Sequence, residues 1–127
     1  MRSIILLLAI FGIGCNTQSP VDTDYRDAFE GEYIGTRSGY TWVMGGTQNS
    51  SITEDTVFVT ALSDSLILID ATEIQIPPSG EFYQQGGASA SSFYSVQFFS
   101  GDSLEVDMNT GGLGGGSRST FLGKKQH

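Results

Sequence analysis

The sequence predicts an all-β fold: a single antiparallel meander of about seven to eight short strands, closed into a barrel or flattened into a sandwich. Three observations point there. Alanine, leucine, glutamate, lysine and arginine, which favour long helices, are scarce after Cys15. Glycine is abundant at 17 residues, and charged residues make up only 16% of the chain, against roughly 25% in ordinary globular domains. Short stretches alternate apolar and polar residues with period two and are separated by turn residues at close spacing.

The first such stretch is "FEGEYIGT", which puts Phe29, Gly31, Tyr33 and Gly35 on one face and Glu30 and Glu32 on the other. Further on, Tyr40, Trp42 and Met44 carry the apolar face at even positions, so the phase switches and a bulge near Arg37-Ser38-Gly39 is expected. "GGTQNS" then supplies a turn, and "TVFVTAL" (56–62) is a second strand rich in β-branched residues. After a turn at Ser63-Asp64, Leu66 to Ile69 is apolar on both faces and must be covered on both. "TEIQIPP" places Ile74 and Ile76 inward and ends at Pro77-Pro78, and "EFYQQ" forms a fifth strand before the loose "GGASASS". "FYSVQFF" sets Tyr94, Val96 and Phe98 on one face with Phe93 and Phe99 opposite. "GDSLEVDM" alternates most cleanly, with Leu104, Val106 and Met108 inward and Glu105 and Asp107 outward. "GGLGGGS" reads as a flexible hairpin loop, because it has no lysine and opens no helix as a phosphate loop would. "RSTFLGKK" is the last strand. Its "FLGKK" echoes the opening "FEGEY", as expected if the first and last strands pair and their glycines ease the curvature of a closure.

The chain divides into three parts. Residues 1–14 read as a signal segment: Arg2 starts an apolar run from Ile4 to Ile13, far short of the roughly 20 apolar residues that a spanning helix needs. Residues 15–28, polar and containing Pro20, read as a flexible tether, and residues 29–127 as the β domain. The close trio Asp22, Asp24 and Asp27 lacks the glycine turn and distal glutamate of a calcium loop, so no metal is expected there.

The termination Gly12-Ile13-Gly14-Cys15 resembles the lipobox of bacterial lipoproteins. That resemblance implies cleavage before Cys15, a diacylglycerol thioether on its thiol and an acylated amino terminus. A lone cysteine in an exported chain has no internal disulfide partner, and lipidation gives it a use. Two or more acyl chains hold stably where one is marginal. Together with "FEGEYIG" and "FLGKK", the lipobox makes the chain similar to small bacterial envelope lipoproteins with lipocalin-like β-barrel domains. The resemblance implies location in the cell envelope, anchored to the outer membrane rather than the inner.

Charge and residue types narrow the function. Fourteen acidic side chains against six basic ones give a formal net charge of −8, dispersed along the chain. That excludes nucleic acid as a partner, since phosphates are bound by lysine and arginine. The single histidine, His127, is the last residue of the sequence, and Cys15 is taken by lipid on this reading. Serine or cysteine nucleophile systems and Cys/His zinc sites are therefore not expected, and the protein is read as a non-enzyme without cofactor or metal. The remaining candidates are aromatic. Tyr40, Trp42, Tyr94 and Phe98 are the expected ligand-binding residues of a module for an apolar or glycan ligand. The alternative is an interaction lipoprotein with a filled core, docking on an envelope protein through exposed rings such as one member of each pair Phe82-Tyr83, Phe93-Tyr94 and Phe98-Phe99.

Overall fold

A computed structural model describes residues 25–63, 66–86 and 92–127. The predicted signal segment, Cys15, the tether up to residue 24, the Ser63-Asp64 turn at its second residue and most of "GGASASS" lie outside the described residues. The remainder is all-β apart from one short helix, α1 (Tyr25–Phe29). The strands are β1 (Gly31–Val43), β2 (Asn49–Ser63), β3 (Leu66–Ile69), β4 (Thr72–Gln75), β5 (Glu81–Gln85), β6 (Phe93–Phe99), β7 (Ser103–Gly112) and β8 (Gly115–Lys125). They form one antiparallel meander in the order β4-β3-β2-β1-β8-β7-β6-β5, a nearly closed barrel whose two free edges are the consecutive strands β4 and β5.

The first and last strands do pair. Their ladder runs without interruption from Tyr33↔Lys125 to Val43↔Gly115. Gly35 faces Gly123 in it, and a side chain at Gly35 would run into the backbone of Leu122 and Gly123. Gly35 is thus required by how closely the two strands approach, whereas a side chain at Gly31 would meet only the Lys125 side chain and one at Gly123 chiefly the Phe121 ring.

Tyr33, Val57, Val59, Ile67, Ile69, Ile74, Ile76, Val96, Phe98, Leu104, Val106 and Phe121 make the core, whereas Met108, expected inward, is 44% exposed because β7 has there passed the end of the core. Tyr33, Val57, Ile67, Leu104 and Phe121 are 0–1% exposed, so the barrel axis at this level is filled with side chains. Burial pushes the Tyr33 hydroxyl up to about 12, with a smaller contribution from the negative charge of Asp102.

Three further sequence expectations need correction. First, β1 has no bulge at Arg37-Ser38-Gly39, because its registers with both β2 and β8 are unbroken there. The apolar phase switches because the core ends. β1, β2, β7 and β8 are longer than the other strands and continue past the barrel as a four-stranded blade with no interior to face. Second, the glycine stretch is mostly ladder. Gly111↔Gly116 and Gly112↔Gly115 are strand pairs, leaving Leu113-Gly114 as the turn. Third, the domain starts before Phe29. α1 occupies the lower end of the barrel, where Phe29 stacks on Phe98 at 4.3 Å and the Tyr25 hydroxyl donates to the Ile76 carbonyl at 2.8 Å. The Phe29 carbonyl in turn accepts from the Tyr33 hydroxyl at 2.8 Å.

Two glycines of β1 give a paired test of the closure. Gly35→Ala should destabilise the domain by about 3 kcal/mol or more, because its methyl group meets backbone that cannot move aside. Gly39→Ala, whose methyl group would make only ordinary 3.5 Å contacts, should stay within about 0.5 kcal/mol of wild type. Urea denaturation of the two variants checks this, and equal losses would remove Gly35 from its assigned role.

Candidate functional site

The predicted ligand-binding residues do not come together. Phe98 is buried in the core. Tyr94 packs against the core with its ring 6.3 Å from that of Phe82, and burial raises its hydroxyl to about 12. Tyr40 and Trp42 lie on the opposite, outer face, with ring centroids 5.3 Å apart. The four residues therefore belong to two different environments, one inside the barrel and one on the blade.

The inner environment is closed from above by a group that periodicity concealed. Arg37 shares the inward phase of Tyr33 and Gly35 and lies across the top of the core, 5.5 Å from the centre of the Phe121 ring. Its Nε donates to Asp55 Oδ2 at 2.5 Å and its Nη1 to Ser119 Oγ at 3.2 Å. Asp70, in the turn between β3 and β4, stands 3.9 Å from Nη2. The backbone of Asp70 takes a left-handed conformation (φ 51°), and its carboxylate accepts the Phe58 amide at 3.2 Å. With α1 below and this ionic cluster above, both ends of the packed interior are occupied.

The outer environment is an aromatic and ionic stripe across the blade. Period two and the registers place Tyr83, Phe93, Asn109, Asp107, Arg118, Tyr40 and Trp42 on this one face. Tyr83 and Phe93 stack at 5.9 Å, and Arg118 lies 5.8 Å over the Phe93 ring. Arg118 also grips Asp107 with both arms of its guanidinium, Nε to Oδ1 at 3.1 Å and Nη2 to Oδ2 at 2.5 Å. The Thr120 hydroxyl adds a third bond to Asp107 Oδ1 at 3.1 Å. Asp107 is thus an outward residue that is nevertheless buried, while 45% of the Arg118 side chain remains open to solvent. The bidentate bond to Asp107 raises the Arg118 pKa further and fixes the fork in one orientation. Trp42 lies over Gly116, where any side chain would collide with its ring.

Beside Tyr40 runs an open groove of about 360 Å³ lined by Ser38, Gly39, Tyr40, Ser50, Ser51, Ile52, Arg118 and Thr120. A second hollow of about 220 Å³ lies on the opposite face of the blade, lined by Thr41, Asn49, Ser51, Ser117 and Ser119, which share the phase of Arg37. The floor of the groove beside Tyr40 therefore offers one aromatic face, an arginine fork and a row of hydroxyls that both donate and accept. No comparison names it: no protein-family model, no curated protein and no solved structure matches the chain. Among the described residues, no three histidine, cysteine, aspartate or glutamate side chains group as a metal ion needs, and no helix is long and apolar enough to cross a membrane.

Arg37, Asp55, Asp107 and Arg118 were the site residues that sequence reasoning missed. Their one signal was phase: Arg37 follows Tyr33 and Gly35 at intervals of two, and "RST" places Arg118 two before Thr120.

The Arg37 cluster has an acid-dependent consequence. Hydrogen bonding to Arg37 holds the Asp55 carboxyl below the usual carboxylate value, so the bond contributes fully above the unfolded pKa of about 3.9. The contribution disappears as pH falls through the lowered folded value. Because 36% of the Asp55 side chain is exposed, solvent screens the pair and the effect is modest. Denaturation midpoints measured from neutral pH down to about 3 should fall less steeply for Asp55→Asn than for wild type. Parallel curves would show that the cluster does not couple folding to pH.

Proposed function

We propose that the protein is a non-enzymatic, lipid-anchored bacterial envelope module that binds a glycan on its outer blade face, at Tyr40, Trp42 and Arg118. The observation that carries this reading is the groove in which Tyr40 stands beside the Arg118–Asp107 pair among serine and threonine hydroxyls. A sugar ring has an apolar C–H face that suits the negative face of an aromatic ring, and rim hydroxyls that suit mixed donors and acceptors. A cup inside the barrel is disfavoured, because the axis is packed and both ends are covered. The anchor is Cys15, and this part of the reading rests on the resemblance of Gly12-Ile13-Gly14-Cys15 to a lipobox.

One observation favours the docking alternative. Lower on the outer wall, Ile34 (45% exposed), Leu122 (51%) and Phe99 (36%) line an open groove beside Lys124. A partner seated there would be an envelope protein with an apolar strip and an acidic margin.

The glycan reading is checked by titrating the protein with a panel of neutral oligosaccharides while following Trp42 emission and heat of binding. Arg118→Met and Tyr40→Ala should each weaken binding about tenfold or more, as expected when a fixed polar fork or a stacking face is lost. Tyr94→Phe, which touches only the interior, should leave binding unchanged. Weakening by Tyr94→Phe with no effect of Arg118→Met would return the site to the interior. Loss through Ile34→Ser of a specific envelope complex, with no sugar bound by wild type, would favour docking. The anchor is checked separately: cells fed a lipid analogue should label the wild-type chain, and Cys15→Ser should remove the label and leave the precursor uncut.

A further inference from the structure

The two longest hairpins end in apolar side chains that the barrel does not use. Met44 at the β1–β2 turn is 78% exposed, its neighbour Val43 is 62% exposed, and Leu113 at the β7–β8 turn is 97% exposed. They form one tip, because β1 and β8 are neighbours and the Met44 amide donates to the Gly114 carbonyl at 3.2 Å across the two turns. The first turn is closed by the Gly46 amide on the Val43 carbonyl at 2.9 Å, with Gly45 supplying a left-handed φ of 74°.

The charge pattern around the tip departs from the rest of the chain. In a protein of net charge −8, residues 38–53 and 108–117 contain no charged side chain. Going back from the tip, the acidic groups begin only at Glu54 and Asp107, and Asp107 is masked by Arg118. Behind the apex stand the aromatics. At about 3.3 Å per residue, Trp42 lies roughly 7 Å and Tyr40 roughly 13 Å behind Met44 along β1. Apolar side chains at an apex, amphipathic rings one step back and then polar residues reproduce the depth profile of a bilayer interface. The bonded turn amides lower the cost of bringing backbone to that depth.

We infer that this tip inserts into the interface of a lipid bilayer, with Val43, Met44 and Leu113 below the headgroups and Trp42 and Tyr40 at their level. A bilayer fits better than a protein pocket because the tip is convex. Its side chains project from two narrow turns, and a fluid surface accepts them without shape complementarity. The missing acidic groups also spare the tip repulsion from anionic lipid, which the rest of this chain would meet. The tip is at the far end of β1 from α1, roughly 40 Å away, so the contact is distinct from any anchor at Cys15. It does not rest on the glycan reading, but both engage Tyr40 and Trp42, so bilayer and sugar compete for these two rings.

Trp42 is the sole tryptophan and therefore a built-in probe of depth. The full chain is mixed with phosphatidylcholine vesicles, either plain or brominated in the upper acyl chain. Trp42 emission should shift to the blue and be quenched by the brominated lipid, and about tenfold more lipid should be needed for the Met44→Asp/Leu113→Asp variant. Both substitutions fall on exposed turn residues, and an unchanged circular dichroism spectrum confirms that the variant is folded. Cosedimentation with vesicles while Trp42 emission is identical in the two lipids would overturn the inference, because only the N-terminal apolar segment would then be in contact. Self-association that the same variant abolishes, without quenching in wild type, would also overturn it and make the tip a contact between two copies.

Discussion

The fold depends on the pairing of β1 with β8. Every other ladder joins strands that are adjacent in sequence, and by themselves these ladders make two separate meanders, β1 to β4 and β5 to β8. The β1–β8 ladder turns them into one curved wall around one core, in which Tyr33 of the first strand and Phe121 of the last are both fully covered. The register at Gly35↔Gly123 is what permits it, since side chains at that point would hold the strands apart. The same ladder continues beyond the core to Val43↔Gly115 and so creates the blade. One interaction thus sets both the packed interior and the exposed surface above it.

A nearly closed wall around a packed core leaves its open surface outside. About a hundred residues wrapped around aromatic side chains leave little empty volume, and here the ends are filled as well, by α1 below and by Arg37 with Asp55 and Asp70 above. Arg37 is tolerated there because each arm has a partner and its flat face lies on Phe121. The blade, by contrast, has two open faces and no core to satisfy, so its side chains are free to serve recognition. Its polarity is short-range: hydroxyls, side-chain amides and one arginine fork that covers the carboxylate of Asp107.

Much of the fold was legible in the sequence because strand alternation survives wherever one face is buried. The eight strands, the inward residues Tyr33, Ile74, Ile76, Val96, Phe98, Leu104 and Val106, and the pairing of "FEGEY" with "FLGKK" follow from period two and from glycine placement. Reading failed where the core stops. Tyr40 and Trp42 change phase because nothing lies beneath them, and sequence alone renders that as a bulge. The assumed bulge in turn hid Arg37, which had never left the inward phase. The Arg118–Asp107 pair was invisible for another reason: it joins neighbouring strands across a hairpin, and charges read one segment at a time carry no record of which partner will stand opposite. Helix α1 is too short to show a helical period, so Tyr25 and Arg26 read as linker although both are covered by the barrel.

The order of the strands also bears on how the chain finds its structure. All ladders but one join sequence neighbours and can form early, since each closes only a short loop. The β1–β8 ladder unites positions near the two ends of the domain and carries most of the sequence separation in the contact map. Its loop-closure cost falls because β2 and β7 already hold β1 and β8 extended, so two preformed meanders meet rather than two loose ends. Topology of this kind belongs to the slower half of the folding-rate range. It also explains why glycine sits at the seam: the last wall segment to close must tolerate a late and close approach of two backbones.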